Sequence, residues 1–371
     1  MTKVYECCNN DLFWFWLTGM DGIGRKTITK LLDYAGSPEG VFRMSSSVLD
    51  NVSFLSKSQK DILGKRNMDL IKREYDNMLK KGINYIHAES DYYPVKLKDI
   101  IDKPYCLYVK CSDINMLEMF NKPTVAIIGS RNCSEYGYKT AYNIAKELST
   151  YGITIVSGMA KGIDGAAQKA VIDFGGNTCG VLGCGVDICY PRSNIELYMN
   201  IMRKGVLVSE YVPGTKPFPG LFPERNRIIS GLSDIVIVVE AGEKSGSLIT
   251  IDMALEQGRD VFAVPGRLND VDSIGCNNLI KYGAGIYTDV KDVLEELGII
   301  SDKCKQEIID NNNFLAKEEK IVYSKLGLEC KHIDRIVEET NLPACKVMEV
   351  LLDFEIRHIV KQIRTNYYVT I

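Results

Sequence analysis

The chain has 371 residues, of which 46% are hydrophobic and 25% are charged, and its formal net charge is −3. This length is enough for two or three domains, and no stretch approaches the roughly 20 apolar residues that a membrane-spanning helix needs. The net charge excludes a protein that is basic over its whole surface, but it allows a local basic groove.

Residues 1–112 are predicted to form an N-terminal helical domain followed by a connector. Residues 13–36 have the pattern of two short helices, and Gly22 and Gly24 flank the turn between them. Such a turn offers backbone N–H groups to nucleic-acid phosphates in helix-hairpin-helix modules, but it also occurs in helical modules that only pack, and both interpretations remain open. Further along, Pro94 and Pro104 exclude a long helix, so we expect an extended connector that docks on the next domain.

Residues 113–298 alternate apolar strand patterns with helical patterns. The strand candidates are TVAIIG, ITIVSG, NTCGVLG, VLVSE, DIVIVVEA and DVFAVPG. Near-continuous apolar strands separated by helices predict an α/β domain with a parallel sheet covered on both faces. Asp164 is a candidate N-cap for the helix that follows the second strand.

The C-terminal part is predicted to be a separate small domain. Residues 299–311 are predicted to form a polar linker, while residues 312–371 contain three helical patterns and end in a pattern that predicts a β-hairpin. Three helices followed by a hairpin are typical of a winged-helix-like domain.

The cysteines and histidines do not suggest a catalytic or metal site. The chain has 12 cysteines without a CxxC pair and only 3 histidines, which lie far apart in the sequence. This pattern favours reduced thiols in a cytoplasmic protein, used as small apolar side chains. The N-terminus carries Glu6, Asp11 and Asp21 around a short apolar patch, which is not the pattern of a signal peptide.

The ends of the predicted strands carry the candidate functional residues. Ligands bind beyond the carboxyl ends of the strands in sheets of this type, and each strand end here delivers glycine, a hydroxyl group or a cation. Glycine allows close approach, helix N-termini bind anions, and arginine binds phosphate through two hydrogen bonds. The candidate nucleic-acid-binding residues are Gly129, Ser130, Arg131, Ser157, Gly158, Lys161, Arg192, Arg225, Asn226, Arg227, Ser245, Gly246 and Ser247.

Simpler interpretations remain open for several of these residues. Ser245 to Ser247 could only cap a helix, Arg225 to Arg227 could form a solvated helix start, and Lys161 could be a surface lysine. The incomplete glycine pattern at residues 183–185 is weak evidence for a dinucleotide loop. Glu210 and Glu240 could be catalytic carboxylates, although we favour a role in holding the nearby arginines.

Several long motifs resemble the family of the DNA-processing protein DprA, also called Smf. These motifs are VAIIGSRNCSEYG, IVSGMAKGIDGAAQKAV, GVLGCGVDICYPRSN, VSEYVPGTKPFPGLFPERNRIISGLS, IVVEAGEKSGSLITIDMALEQGRDVFAVPG and GCNNLIKYGA. Together they span most of residues 90–290, whereas the two terminal segments fit the family's layout more loosely.

The resemblance implies a Rossmann-like core with an N-terminal SAM- or helix-hairpin-helix-like domain and a C-terminal winged-helix-like domain. It implies a protein that binds single-stranded DNA, protects incoming strands during natural transformation and loads the RecA recombinase. Homodimerisation through the Rossmann-like domain, no enzymatic activity and no cofactor are implied as well. The family's phosphate-binding residues correspond to Arg131, Arg192, the RNR element Arg225 to Arg227, and the serines Ser245 and Ser247.

The chain departs from the family pattern at three positions. Gln168 replaces a histidine, Cys276 replaces a threonine, and His358 stands where a glycine often precedes the wing. Glutamine still forms hydrogen bonds, but it lacks the ring and the charge of histidine. These departures leave open the details of the pocket and DNA binding by the last domain.

Aromatic residues near the strand ends are candidates for stacking on DNA bases. Tyr136, Tyr190, Phe218 and Phe222 could each stack on a splayed base, or they could serve only in packing. The main rival function is a phosphoribohydrolase-like enzyme that handles nucleotides on a related α/β core. Such enzymes need a glycine-rich PGGxGTxxE loop, and here Glu256 comes too late in the corresponding helix. A pure interaction scaffold is the third alternative.

Overall fold

The computed structural model describes residues 9–299, 317–326, 331–356 and 360–370. The chain divides into two compact units, the first ending at Leu297 and the second beginning at Gly298. Apart from residue 299, the predicted linker lies outside the described residues, and so does His358. Within the described ranges, no helix has both the length and the apolar character needed to cross a membrane.

Six helices occupy the first part of the described chain. Serine or asparagine caps four of them, and Ser56 forms a reciprocal capping box with Gln59 at the start of the fifth helix. Their apolar faces meet around the buried side chains of Leu17, Leu31 and Tyr75. The helices are α1 Asn9–Thr18, α2 Arg25–Ala35, α3 Pro38–Arg43, α4 Ser46–Asn51, α5 Lys57–Gly64 and α6 Met68–Lys80.

A nine-stranded sheet forms the centre of the first unit. Its strands are β1 Asn84–His87, β2 Cys106–Cys111, β3 Thr124–Ile128, β4 Thr154–Ser157, β5 Thr178–Val181, β6 Val206–Ser209, β7 Ile235–Val238, β8 Asp260–Ala263 and β9 Gly285–Ile286. Their order across the sheet is β1-β2-β6-β5-β4-β3-β7-β8-β9. Every residue of β3 to β7 is buried, which confirms the predicted mostly parallel sheet with both faces covered.

The strand order reverses next to β3. From β3 the chain moves outward through β4, β5 and β6, then returns to place β7 on the opposite side of β3, with parallel pairing throughout. A ligand crevice is expected at such a reversal, beyond the carboxyl ends of the strands. Strands β1 and β2 extend the sheet antiparallel beside β6, so residues before 113 also contribute to it.

Seven helices accompany the sheet strands. They are α7 Glu135–Thr150, α8 Ile163–Phe174, α9 Ile195–Lys204, α10 Leu221–Gly231, α11 Ser247–Glu256, α12 Ile274–Lys281 and α13 Val290–Glu296. The predicted N-cap role of Asp164 is wrong, because α8 begins at Ile163 and Gly162 precedes it with a φ of 74°. A Cβ at Gly162 would lie 2.3 Å from the carbonyl oxygen of Ser130, so this turn requires glycine.

Among the described residues of the second unit are three helices and a small sheet. The helices are α14 Lys317–Lys325, α15 Ile333–Thr340 and α16 Ala344–Ile356, and the strands are β10 Lys331–His332, β11 Val360–Arg364 and β12 Tyr367–Thr370. β12 lies between β10 and β11 and pairs antiparallel with both. The three helices pack around Val322, Ile336, Leu351 and Phe354, which are all buried.

Candidate nucleic-acid interface

Two adjoining cavities lie beyond the carboxyl ends of β3, β4 and β7, next to the reversal of strand order. The larger has a volume of about 370 Å³ and the smaller about 300 Å³. Arg131, Phe222 and Arg225 line both cavities. We call the two cavities together the strand-end groove.

The loop after β3 is fixed in place by its backbone. Ser130 donates its N–H to the carbonyl oxygen of Glu240 at 2.7 Å and accepts the N–H of Ile163 at 3.2 Å. A Cβ at Gly129 would lie 2.7 Å from the side chain of Ile163 and 2.8 Å from the Glu240 carbonyl oxygen. Gly129 is therefore required by the packing of this loop. The loop holds the exposed Arg131 at the entrance of the groove.

Arg131 lies against an aromatic pair. Its guanidinium carbon is 5.4 Å from the centroid of the Phe222 ring, within the range of a cation–π contact. The Phe222 ring in turn lies 5.3 Å from the Tyr190 ring, with an angle of 34° between their planes. Phe222 and Tyr190 both line the smaller cavity. Charge and apolar ring surface thus occur side by side at one position in the groove.

Lys161 lines the smaller cavity from the loop after β4. Its side chain is exposed, and the preceding loop is held by Asn194, whose amide nitrogen donates to the carbonyl oxygens of Met159 and Ala160 at 3.0 Å each. Met159 has a φ of 58°, a left-handed conformation that is uncommon for a side chain of this size. The backbone that presents Lys161 is therefore held in an unusual conformation by surrounding contacts.

Arg225 is buried beneath the groove. Only 4% of its surface is exposed, and its Nη1 donates to the carbonyl oxygens of Gly158 and Val181, at the ends of β4 and β5. Burial lowers the pKa of Arg225 to about 10, although the nearby Asp164 carboxylate opposes this shift. Arg225 therefore ties two strand ends together, and it also lines both cavities.

Asp164 and Gly158 complete this buried arrangement. Asp164 accepts the N–H of Gly158 at 3.1 Å, and burial raises the pKa of its carboxyl while Arg225 acts in the opposite direction. A Cβ at Gly158 would lie 2.7 Å from both Arg225 Nη2 and Asp164 Oδ2. The Asp164 carboxylate thus faces Arg225 and the strand end, which explains why it does not cap α8.

Arg227 forms an ion pair outside the groove. Its Nη2 lies 2.5 Å from Oε2 of Glu210, and both side chains are largely buried. Glu210 also lies 3.9 Å from Arg25 at the start of α2, and Arg25 is 3.7 Å from Glu224 on α10. Arg227 lines neither cavity. This charge network connects the N-terminal helices with α10.

The turn at Gly22 to Gly24, before α2, makes several contacts within the protein. The N–H of Ile23 donates to the carbonyl oxygen of Met20 at 3.3 Å, and the carbonyl of Gly22 accepts from Gln59 at 3.3 Å. The side chain of Ile62 packs beneath Gly22. Of the two interpretations of this turn, these contacts favour packing.

The carboxylate of Glu240 accepts two hydrogen bonds from Ser134. It accepts the N–H of Ser134 at 2.9 Å and the hydroxyl of Ser134 at 2.6 Å. Ser134 is also the N-cap of α7 and accepts the N–H of Gly137. We expected Glu210 and Glu240 to hold nearby arginines. Glu210 does so, because it pairs with Arg227. Glu240 does not, because its carboxylate binds Ser134 at the end of the loop after β3.

The start of α11 forms another wall of the larger cavity, where Ser245, Gly246 and Ser247 all line it. The hydroxyls of Ser245 and Ser247 are 2.7 Å apart, Gly246 occupies the N-cap position, and Ser245 Oγ accepts the N–H of Ser247, the first residue of the helix, at 3.4 Å. Gly246 is exposed, and a Cβ there would meet nothing within 4 Å. The N-terminal N–H groups of α11 carry partial positive charge, which favours an anion nearby.

The structure brings ten of the thirteen candidate residues to the strand-end groove. The three exceptions are Ser157, whose hydroxyl donates to the Ile127 carbonyl oxygen at 2.7 Å, the paired Arg227, and the exposed Arg192. Arg192 lines neither cavity, although its neighbours Tyr190 and Pro191 line the smaller one. The residues that line a cavity are Gly129, Ser130, Arg131, Gly158, Lys161, Arg225, Asn226, Ser245, Gly246 and Ser247.

Asn132 and Asp164 line the groove but are not among the thirteen candidates predicted from the sequence. Asn132 lines both cavities, and Asp164 lies at the wall of the larger one. Asn132 could have been predicted from the sequence, because it follows Arg131 on the loop after a predicted strand. The role of Asp164 depends on Arg225, which lies far away in the sequence, so no local pattern reveals it.

Two of the departures from the family pattern lie in the core. Gln168 is fully buried and donates its side-chain N–H to the carbonyl oxygen of Cys179 at 3.0 Å. Cys276 is 1% exposed, and burial raises the pKa of its thiol to about 12. Neither residue lines the strand-end groove. These two substitutions therefore change the packing beneath the groove and not the residues that line it.

Comparisons with known proteins agree with this fold. The sequence model of the family described as DNA recombination-mediator protein A matches residues 84–298. The chain is 46% identical over 217 residues to the DNA processing protein DprA of Bacillus subtilis, covering 58% of this chain and 72% of that protein. It is 43% identical over 243 residues to DprA of Streptococcus pneumoniae, covering 64% and 84%.

Two solved structures extend the comparison. The structure of Streptococcus pneumoniae DprA has a TM-score of 0.62 and 37% identity, covering 79% of this chain and 99% of that one. The Helicobacter pylori DprA structure, described as showing a single-stranded DNA binding mode, has a TM-score of 0.51 and 31% identity, covering 58% and 95%. A matched region of this extent, with these identities, shows that the chain belongs to the DNA recombination-mediator protein A family, whose curated members are called DprA or Smf.

Proposed function

We propose that this protein acts in DNA processing by binding single-stranded DNA along the strand-end groove. The observation that carries the proposal is the arrangement of Arg131 against Phe222 and Tyr190, beside the N-terminus of α11. The relationship to the Helicobacter pylori protein, whose structure is described by its single-stranded DNA binding, supports the same function.

Phosphates are bound by the exposed cations and by backbone donors. Arg131 and Lys161 line the groove and are exposed, and Arg192 lies on the adjoining surface. The α11 N-terminus with Ser245 and Ser247 supplies further donors on the opposite wall. Cations spread over several loops suit a chain of phosphates better than one compact ligand. Each phosphate neutralised contributes a slope of about −0.7 to the dependence of log affinity on log salt.

Bases are bound by stacking. Phe222 and Tyr190 offer ring surface next to Arg131, and a base that stacks on an aromatic ring gains about 1–3 kcal/mol. Tyr136 and Phe218 are more exposed still, at 61% and 66%, and extend the stacking surface outside the cavities. Stacking does not distinguish bases by their hydrogen-bonding edges, so we expect little sequence preference.

We propose a binding function without catalysis, because the candidate carboxylates are engaged elsewhere. Glu210 pairs with Arg227, Glu240 holds Ser134, and Asp164 faces Arg225. A carboxylate that acts as a general base must reach the substrate with a free oxygen. These contacts support a positioning role for each of the three carboxylates.

The phosphoribohydrolase-like alternative has less support. Its catalytic glutamate would need to lie near the phosphate end of α11, at Ser245 to Ser247. Glu256 is exposed and is the last residue of this helix of 10 residues, which places it about 14 Å from the first residue at 1.5 Å per residue. The carboxylate is thus at the wrong end of the helix.

The wider role rests on the family relationship. We propose that the protein protects incoming single strands and loads the RecA recombinase during natural transformation, and that it acts as a homodimer. The second unit, whose described part has three helices and a three-stranded sheet, is proposed to be winged-helix-like. The N-terminal helices are proposed to form the SAM- or helix-hairpin-helix-like domain.

The direct experiment compares single-stranded with duplex DNA. Fluorescence anisotropy with a labelled 30-nucleotide strand, and with the same strand annealed to its complement, should show clearly tighter binding of the single strand at equal salt. Nucleoside monophosphates incubated with the protein should release no free base. Equal affinity for both DNA forms, or turnover of the monophosphate, would contradict the proposal.

A further inference from the structure

In the second unit, a short turn joins α15 to α16, as a turn joins the two helices of a helix-turn-helix. Residues 341–343 form the turn between α15 and α16, and Asn341 adopts a left-handed φ of 54° there. In proteins that bind DNA through this motif, the second helix enters the major groove, and cationic side chains nearby neutralise phosphates. The outward face of α16 therefore indicates what this unit binds.

One face of α16 is anchored in the core of the unit. Val347, Val350, Leu351 and Phe354 are buried against the other helices. The orientation of the helix is fixed by this packing, so the side chains on its opposite face are presented to the outside in a defined way.

The outward face carries an apolar stripe. Met348 is 56% exposed and Leu352 is 61% exposed, and the exposed Cys345 precedes them. Positions 345, 348 and 352 are spaced as i, i+3 and i+7, so they lie along one side of the helix. This spacing is typical of anchors that meet another helix, and methionine adapts well to varied apolar partners.

The charges beside this stripe are mostly acidic. Glu349, Asp353 and Glu355 lie on the same helix, against one cation, Lys346. Lys346 is already paired with Glu349 at 2.9 Å and with Glu318 at 3.5 Å. The charges of Lys346 and Glu349 offset each other, so Asp353 and Glu355 leave α16 with a net negative charge, which repels DNA phosphates.

We propose that the outward face of α16 binds a basic amphipathic helix of a protein partner. Met348 and Leu352 bury the apolar side of that helix, and the net negative charge of α16 attracts lysines or arginines at its edges. A second copy of the same face fits poorly, because acidic residues would meet acidic residues. Duplex DNA fits poorly for the same reason. This surface lies in the second unit and is independent of the strand-end groove.

The test uses the full chain and two labelled helical peptides of 18 residues. One peptide has leucines along one side and lysines at the edges, and the other has glutamate in place of every lysine. Fluorescence anisotropy in 150 mM salt should show saturable binding of the lysine peptide and at least tenfold weaker binding of the glutamate peptide. The double variant Met348→Ser/Leu352→Ser and the variant Glu349→Lys should each weaken binding of the lysine peptide at least tenfold.

Glu338→Lys is the matched control, because Glu338 is exposed on α15 and its replacement changes the net charge equally. It should leave binding of the lysine peptide unchanged. Equal binding of both peptides, or unchanged affinity in Glu349→Lys, would overturn the proposal. A labelled 20-base-pair duplex bound more weakly by Lys346→Ala would instead assign the face to DNA. A loss of dimers in sedimentation of the serine double variant would assign it to a second copy, and either result overturns the proposal.

Discussion

The guanidinium of Arg131 lies 5.4 Å from the centre of the Phe222 ring, although Arg131 belongs to the loop after β3 and Phe222 to helix α10. The loop after β3 supplies the charge, and the start of α10 supplies the ring. Single-stranded DNA presents a phosphate and an unpaired base at each nucleotide, so this pair matches both parts of the ligand. The contribution of the Arg131 charge and that of the Phe222 ring to DNA binding can therefore be measured independently.

The stacking contribution is tested by Phe222→Leu. Leucine keeps an apolar side chain but removes the aromatic face, so affinity for single-stranded DNA should fall by about 1–3 kcal/mol. Because no charge changes, the salt slope should stay as in the unmodified protein. Anisotropy titrations at several salt concentrations measure both quantities. Phe174→Leu is the comparison, since Phe174 is exposed on α8 and lines neither cavity; an equal loss in both variants would contradict a special role for Phe222.

The buried arginine should act on stability. Arg225→Met removes the hydrogen bonds to Gly158 and Val181 and leaves Asp164 without its counter-charge. Loss of one partner of a buried pair costs about 3–5 kcal/mol, so the midpoint of urea unfolding should fall sharply. Arg192→Met should leave it nearly unchanged, because Arg192 is exposed. A stable Arg225→Met protein with a reduced salt slope would show that Arg225 is a phosphate ligand.

Two glycines of the groove should respond differently to alanine. In Gly158→Ala, the new Cβ would lie 2.7 Å from Arg225 Nη2 and Asp164 Oδ2, and such overpacking costs about 1–3 kcal/mol of unfolding free energy. In Gly246→Ala, the Cβ meets nothing within 4 Å, so the free energy of unfolding should not fall. This Cβ enters the space where we place a phosphate, so DNA affinity should fall without loss of stability. Full DNA affinity in Gly246→Ala would remove the α11 N-terminus from the site.

The sheet and most of the site could be predicted because their signals are local. Apolar strands followed by glycine, hydroxyl groups and cations mark the carboxyl edge of a parallel sheet, and the residues after β3 and β7 do meet in one groove. The sequence pattern could not show which arginines are free. Arg131, Arg225 and Arg227 all follow predicted strands in the sequence. In the structure, however, Arg225 donates hydrogen bonds to the ends of β4 and β5, and Arg227 forms an ion pair with Glu210.

The remaining errors also come from contacts between distant residues. Asp164 precedes a helical pattern and resembles an N-cap, but its partner Arg225 lies on another helix. Glu240 follows an apolar strand as a catalytic carboxylate would, but its partner is Ser134. Such pairings depend on how loops from separate strands fold against each other, which local patterns do not encode.

The substitution at position 168 should affect packing more than binding. Gln168→Met removes one buried hydrogen bond, to the Cys179 carbonyl oxygen, so the free energy of unfolding should fall by about 1 kcal/mol. DNA affinity and salt slope should stay unchanged, because Gln168 does not line the groove. Urea unfolding and anisotropy on the same preparation check both statements. A large loss of affinity at unchanged stability would place Gln168 in the binding site after all.

The salt dependence of single-stranded DNA binding by Arg131→Ala and Arg131→Lys tests the central claim most directly. Arg131 is exposed at the entrance of the groove, so both variants should fold normally. If Arg131 neutralises a phosphate, Arg131→Ala should bind more weakly, with a log–log slope shallower by about 0.7, while Arg131→Lys should retain the slope. A folded Arg131→Ala protein with unchanged affinity and unchanged slope would contradict the proposed groove.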